Sequence, residues 1–357
     1  MTNQNNSKKQ DSITEVSSPL ILTRHSESIE SAIQKVVDES YFSLYPMLHY
    51  HLGLVDTKGN IEKTSRGKSL RSSLCLFTAE AVGGKWQNAL PAATALELIH
   101  NFSLIHDDIQ DEDIERRHRP TVWSIWGKPA GIIAGNTMRI LADKALISMA
   151  QHNLPDALVL QMSLIFNQRY QEMMMGQVQD LFFEQQLEVS TSEYLQMIGG
   201  KTGALIDASM ELGALSGGVD KVIAEKLGRC GRLLGLAFQL RDDLLGVWGD
   251  DSQTGKAVGA DIRKRKKAFP AAYTIQKATK TEGEMIREIY QSKQQMNEFQ
   301  IAAILEIMDN VNAQEATQNL AKQKCEQALQ LINELELETW SKKEFTDLGK
   351  FLIHRNA

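Results

Sequence analysis

The chain has 357 residues, of which 42% are apolar, 24% charged and 6% aromatic. That apolar share is ample for a packed core and excludes an intrinsically disordered chain. With 39 Lys and Arg against 45 Asp and Glu, the net charge is −6, which gives no support to a general nucleic-acid or anionic-membrane binder.

The first 28 residues are rich in Asn, Gln, Ser and Lys and read as a flexible polar tail, with Leu20–Leu22 as the longest apolar run. A secretory core needs about 7–15 apolar residues and a spanning helix about 20. Neither is present, and the expectation is a cytoplasmic protein without integral membrane contact. Cys75, Cys230 and Cys325 are too scattered for a metal knuckle and too few for a disulfide framework, which fits a reducing compartment.

From residue 29 to 357 the pattern predicts one all-α domain. Apolar residues recur every three or four positions, as in Leu158, Met162, Ile165 and Met173, and strict alternation is hard to find. Breaks are expected at Gly83-Gly84, Pro91, His118–Pro129, His152–Pro155, Gly217-Gly218 and Gly249–Gly259. The stretch from Thr281 onward reads as polar amphipathic helices that complete a bundle. No glycine-rich nucleotide cradle of the common kinds occurs.

Two acidic clusters end apolar helical runs. Asp107-Asp108-x-x-Asp111 follows Ala92–Ile105, and Asp242-Asp243 follows Leu233–Leu240. Asp107 and Asp111 stand one turn apart on one helix face. An acidic run is usually a solvated helix end, and an EF-hand is excluded because its Gly and terminal Glu are missing. The company of these clusters points elsewhere. Arg116, Arg117 and Arg119 follow the first; Lys256 and Arg263–Lys267 follow the second. Gly67-Lys68-x-x-Arg71 lies upstream and Gly199-Gly200-Lys201-Thr202-Gly203 midway. Basic side chains hold phosphate directly, whereas aspartates hold it only through a hard cation. Charges about 5 Å apart at an effective dielectric near 20 interact by roughly 3 kcal/mol, so a diphosphate beside unbridged aspartates would be repelled. The combination implies a metal-bridged polyphosphate.

These residues resemble the trans-isoprenyl diphosphate synthases. Asp107-Asp108-x-x-Asp111 with Arg116-Arg117 is similar to that family's first aspartate-rich motif, and Phe238-Gln239-x-x-Asp242-Asp243 to the second. Gly67-Lys68-x-x-Arg71, Glu97-x-x-His100, Lys201-Thr202 and Thr254-Gly255-Lys256…Asp261…Lys266 match in the family's order, and Gly176-Gln177-x-x-Asp180-Leu181 more weakly. The match runs from about residue 40 to about 345.

The resemblance implies a single large helical bundle around a deep central cavity, usually a homodimer, that extends an allylic diphosphate with isopentenyl diphosphate. It implies Asp107, Asp111 and Asp242 as ligands of Mg²⁺, three ions per site, with Asp108 and Asp243 in support. Arg116, Lys201, Thr202, Gln239, Lys256 and Lys266 would hold the allylic diphosphate, and Lys201 would take part in the chemistry. Lys68, Arg71, His100 and Arg117 would hold isopentenyl diphosphate. Departures from the family pattern are Gly246 for a third aspartate, His118 for Gly, Ser72 for Pro, Asn136 for Asp and Ala268 for Thr. They put substrate preference in doubt more than reaction type.

Chain length in this family follows cavity depth below the first motif. Ser103 is small, while Phe102, five residues before Asp107, could close the floor, with Ile99 adjoining. The pattern is similar to enzymes making 20-carbon geranylgeranyl diphosphate, with 25 carbons or more as the alternative. Rival readings are a His-Asp phosphohydrolase built on His100 and His106-Asp107, which leaves the second cluster idle, and a terpene synthase, which would not need the isopentenyl residues. A regulatory subunit is a further rival, but such subunits typically lose both clusters.

Overall fold

The computed structural model describes residues 18–40, 45–62, 64, 67–152, 154–186, 188–249, 258–292 and 294–355. Two helices lie at its centre, largely apolar and with their few charged groups turned to partners or to a cavity, which leaves them little face to give to solvent. These are α5 (Trp86–Gln110), buried without interruption from Pro91 to Ile99, and α10 (Ala204–Ser216), buried along its whole length. Around them pack α4 (Leu70–Ala81), α7 (Lys128–Ile147), α8 (Asp156–Gln185) and α11 (Lys221–Trp248). Small residues let the backbones close up: a Cβ on Gly213 would lie 2.2 Å from the Cys75 carbonyl oxygen, so α10 lies directly on α4.

Shorter elements finish the bundle. At the N-terminal side are α1 (Leu20–Thr23), α2 (Ser26–Asp38) and α3 (Tyr45–His51). Between α5 and α7 lies α6 (Val122–Trp126), and α9 (Thr191–Ile198) leads through a π-helical turn, Gly199–Gly203, into α10. Beyond α11 follow α12 (Ala260–Arg263), α13 (Phe269–Lys277), α14 (Lys280–Gln291), α15 (Glu298–Asn310), α16 (Ala313–Asn333) and α17 (Thr339–His354). Capping boxes start α9, α14 and α15 at Ser190, Thr279 and Asn297, each pairing its side chain with the residue three positions on.

Two sequence expectations need correction. Pro91 does not break a helix; α5 begins five residues earlier and runs through it, since one absent hydrogen bond near a helix start is offset by burial. Residues 20–23 and 26–28, expected in the polar tail, are helical: Ile21 and Leu22 are buried, and α1 packs on α4 and α17. A two-stranded ribbon also occurs, β1 (Glu115–Arg116) with β2 (Arg119–Pro120). Its turn residues Arg117 and His118 have φ of 54° and 61°, as a two-residue primed turn requires. His118 stands where the family pattern has Gly, and a non-Gly residue there costs about 1–2 kcal/mol.

Among the described residues, no helix is long and apolar enough to cross a membrane.

Candidate active site

The C-terminal halves of α5 and α11 end at one cavity of about 400 Å³. Asp107, on α5, and Asp242, on α11, both line it, so the two acidic clusters share a hollow, as the sequence reading required. The π-turn brings Lys201 and Thr202, α4 brings Arg71, and the ribbon brings Arg116 and Arg117.

The acidic wall is electrostatically loaded. Burial pushes Asp107 up to about 6, with Lys201 opposing and Asp111 adding to the rise. Burial raises Asp111 too, and Asp180 and Asp113 add their repulsion. Asp108 points elsewhere: it is buried and accepts a hydrogen bond from Arg116 Nε at 2.6 Å, which aims that arginine along the cavity edge. Among the described residues no three acidic, His or Cys side chains converge tightly enough to cage an ion. Magnesium rarely takes an all-protein cage; it uses one or two carboxylates plus water and substrate phosphate. The oxygen-only donors present fit that ion.

Asp242 pairs with Arg355, whose guanidinium stacks 3.9 Å from the Phe238 ring centre. Arg241 fixes the Arg355 carbonyl with two hydrogen bonds of 3.0 and 2.8 Å. The neighbouring Asp243 is a buried junction. It accepts from Tyr194 Oη at 2.6 Å, Gln239 Nε2 at 3.2 Å and the Phe269 amide at 3.3 Å. Burial outweighs these donors and lifts it to about 7. Gly246 is explained by packing: a Cβ there would meet Asp261 Oδ2 at 2.1 Å, so the Asp261 carboxylate occupies the space of a side chain at 246.

A pH effect on stability follows. Asp107, Asp108 and Asp243 have folded values of about 6, 6 and 7 against an ordinary aspartate value of 3.8. Between about pH 4 and pH 7 the folded chain therefore holds protons that the unfolded chain has lost, and stability from these groups falls as pH rises. Urea midpoints without added metal should be higher at pH 5 than at pH 8, and Asp243→Asn should flatten the difference.

Cations face the carboxylates. Burial works against charge on Lys201, yet Asp180, whose Oδ2 lies 2.5 Å from its Nζ, and Asp107 hold it above the usual lysine value. Thr202 donates to Gln239 Oε1 at 2.9 Å. Lys266 lies 3.5 Å from Asp261 and is likewise held charged by Asp261, Asp180 and Asp111 in spite of burial. Its neighbours are separately engaged: Arg263 grips Glu298 at 2.6 and 2.8 Å, and Lys264 reaches Asp113 at 2.9 Å. Lys256, with Thr254 and Gly255, lies outside the described residues.

A second group of bases gathers around His100. Arg71, His100 and Arg117 line the cavity together. Burial, then the charges of Arg71 and Arg117, push His100 far below the usual histidine value. Arg71 Nε is buried without a hydrogen-bond partner in the protein. Arg117 lies against Gly67, where a Cβ would sit 2.5 Å from its Nη2. Lys68 Nζ is 4.8 Å from the Phe351 ring centre. Arginines concentrated this way fit an anion of high charge.

Of the chain-length residues, Phe102 and Ser103 line the cavity, whereas Ile99 is fully buried and does not. Phe102 packs edge-on to Tyr170 at 5.7 Å. Met173 and Met174 border the cavity with Leu104, His106, Gln110 and Gln177. Their i, i+3 and i+4 spacing was visible in the sequence, but a cavity wall has the same spacing as a core.

A match to the polyprenyl synthetase family spans residues 59–308. The chain belongs to that family. This polyprenyl synthetase is 33% identical over 349 residues to a (2E,6E)-farnesyl diphosphate synthase of Mycobacterium bovis, covering 97% of this chain and 96% of that one. It is 37% identical over 257 residues to a geranylgeranyl diphosphate synthase of Mycobacterium tuberculosis, covering 71% and 72%. The polyprenyl synthetase structure from Streptomyces coelicolor superposes with a TM-score of 0.86 at 30% identity, covering 93% of this chain and 98% of that one. A solved relative from Caulobacter crescentus, 27% identical over 94% of this chain and 98% of its own with a TM-score of 0.78, holds calcium and isoprenyl diphosphate. The chain is thus a trans-prenyltransferase of the all-α isoprenoid synthase fold, and the phosphohydrolase reading falls away.

Proposed function

We propose that this polyprenyl synthetase joins isopentenyl diphosphate head to tail to an allylic diphosphate and releases a 20-carbon product. The observation that carries the reading is that one cavity is lined by two sets of groups, Asp107 and Asp242 with Lys201, Thr202 and Gln239, and Arg71 and Arg117 with His100, on which both arginine charges act. A single-substrate terpene synthase would have no use for the second set.

In this reading Asp107, Asp111 and Asp242 hold three magnesium ions. When bound, they supply the positive charge that a departing diphosphate needs. Arg116, Lys201, Thr202, Gln239 and Lys266, with Lys256, steady that diphosphate. Asp108 acts through Arg116, and Asp243 through Gln239. Lys68, Arg71, His100 and Arg117 hold the isopentenyl diphosphate so that its double bond faces the allylic carbon. Phe102, Leu104, Met173 and Met174 form apolar wall and keep water from the carbocation. The expected assignment of Ile99 to chain length is weaker than that of Phe102, because Ile99 does not border the cavity.

Phe102 with Tyr170 behind it supports a floor one layer below Ser103. Phe102→Ala should lengthen the product by at least one five-carbon unit, read by sizing the dephosphorylated alcohols. An unchanged product removes Phe102 as the floor. The reaction itself is tested by incubating the protein with magnesium, labelled isopentenyl diphosphate and dimethylallyl, geranyl or farnesyl diphosphate in turn. A main product of 15 carbons, as the farnesyl relative is named for, would replace the 20-carbon assignment.

We also propose a cytoplasmic homodimer. Ile133, Ile140 and Ile147 on α7, with Leu160, Leu164 and Phe182 on α8, are exposed large apolar residues, and their extent supports an interface between copies. Asn136 lies exposed on α7 among them. Sedimentation at a single-chain mass would exclude the dimer.

A further inference from the structure

The turn that carries Lys201 and Thr202, Gly199–Gly203, is π-helical, a form that is rare and survives as single turns where the surroundings hold it. Two kinds of contact hold this one. The first is steric. A Cβ on Gly176 of α8 would lie 2.2 Å from the Lys201 nitrogen, and one on Gly235 of α11 would lie 2.8 Å from Gly203 Cα.

The second is ionic and contains none of the groups assigned to substrate. Arg169 on α8 donates Nε to Asp207 Oδ1 at 3.0 Å, Nη1 to Glu172 Oε1 at 2.8 Å and Nη2 to Glu211 Oε2 at 3.0 Å. Arg232 on α11 donates Nε to Asp207 Oδ2 at 2.8 Å and Nη2 to Glu172 Oε2 at 2.5 Å. Two guanidiniums and two carboxylates thereby close into a ring joining α8, α10 and α11. The remaining arm of Arg232, Nη1, donates to the Gly199 carbonyl at 3.3 Å, at the head of the turn. Asp207 and Glu211 are each 2% exposed. Only Asp207 of the ring is fully buried, while Arg169, Glu172 and Arg232 keep part of their exposure; desolvation of the one and solvent screening of the others leave it little net stability. It does fix directions, since each planar guanidinium is held by several partners at once.

We propose that the Arg169–Asp207–Arg232–Glu172 ring is a positioning device for the allylic half of the site: through the Gly199 carbonyl it sets the π-turn and so the placement of Lys201 and Thr202. The inference rests on the reading of those two residues as holders of the allylic diphosphate. Arg232 and Arg169 are positioning residues and touch no substrate.

Arg232→Lys keeps the charge, but its three donors sit on one nitrogen and cannot span the separate positions from which Nε, Nη1 and Nη2 reach Asp207, the Gly199 carbonyl and Glu172. Glu211→Gln alters only the Arg169 end and touches no part of the turn. In the full-length protein, amides of residues 199–204 should exchange about tenfold faster or more in Arg232→Lys and at the wild-type rate in Glu211→Gln. The KM for the allylic diphosphate should rise about tenfold in Arg232→Lys, with that for isopentenyl diphosphate unchanged. Equal effects of the two variants, a joint rise of both KM values, or wild-type exchange in Arg232→Lys would overturn the proposal. If Arg232→Lys does not fold, Glu172→Gln, whose carboxylate is partly exposed, takes the same measurements with the same expected and contrary results. Faster exchange in a protein whose wild type transfers no prenyl group would sink the substrate reading while leaving the ring's hold on the turn intact. Prenyl transfer by the wild type with unaltered exchange in the variant would sink the ring alone.

Discussion

Asp107→Ala and Asp242→Ala should each lower kcat by about a hundredfold to a thousandfold or more, since removing a single preorganised stabiliser of developing charge already has an effect of that size. The expected loss lies in the chemical step, because these carboxylates act where diphosphate charge develops. Asp113→Ala is the control: it lies two residues beyond Asp111 but is paired with Lys264 at 2.9 Å and does not line the cavity. It should stay within about threefold of wild type, in the range of an exposed charge pair. Calorimetric binding of inorganic diphosphate should depend on magnesium in wild type and Asp113→Ala, and lose that dependence in Asp107→Ala. If Asp113→Ala were as damaging as Asp107→Ala, the clusters would be acting through net charge and not as ligands. Removing Asp242 also releases Arg355, so its thermal midpoint must be measured beside its rate.

The positions of both aspartate clusters were readable in the sequence because their spacing is local. Asp107 and Asp111 follow an apolar run whose helical period fixes their face, and Asp242 ends a similar run. The anion-holding residues Arg71, His100 and Arg117 came from motif order, and the cavity brings them together. What failed to show was long-range. Arg355 meets Asp242 from 113 residues away, and no local pattern ties a C-terminal arginine to a helix in the middle of the chain. The Arg169–Arg232 ring joins three helices, each of whose charges reads alone as solvated. Pro91 misled because propensity is local, whereas the burial that carries α5 through it is not. The departures became intelligible only with packing in view. Ser72 is buried and donates to Glu97 Oε2 at 2.7 Å, Gly246 makes room for Asp261, and Ala268 begins α13 with no side-chain cap.

Gly176→Ala should reduce activity by about a hundredfold, although it adds one methyl group in a residue that touches no substrate. The new Cβ would stand 2.2 Å from the Lys201 nitrogen and 2.8 Å from the Gly200 carbonyl carbon. Both are backbone atoms, so no rotamer change relieves the contact; α8 or the π-turn must shift. Overpacking of this kind costs about 1–3 kcal/mol, which the fold can survive. A catalytic group misplaced by about 1 Å can cost a hundredfold in rate. Helix propensity acts the other way, since Ala favours a helix over Gly by about 1 kcal/mol, so loss of activity should exceed what the thermal midpoint suggests. Gly199, whose Cβ would meet only the Leu236 side chain at 4.0 Å, is the contrast within the turn itself: Gly199→Ala should keep most of the activity. Equal rates for Gly176→Ala and wild type would mean that the placement of Lys201 does not govern turnover, and the assignment of that lysine to the departing diphosphate would have to be withdrawn.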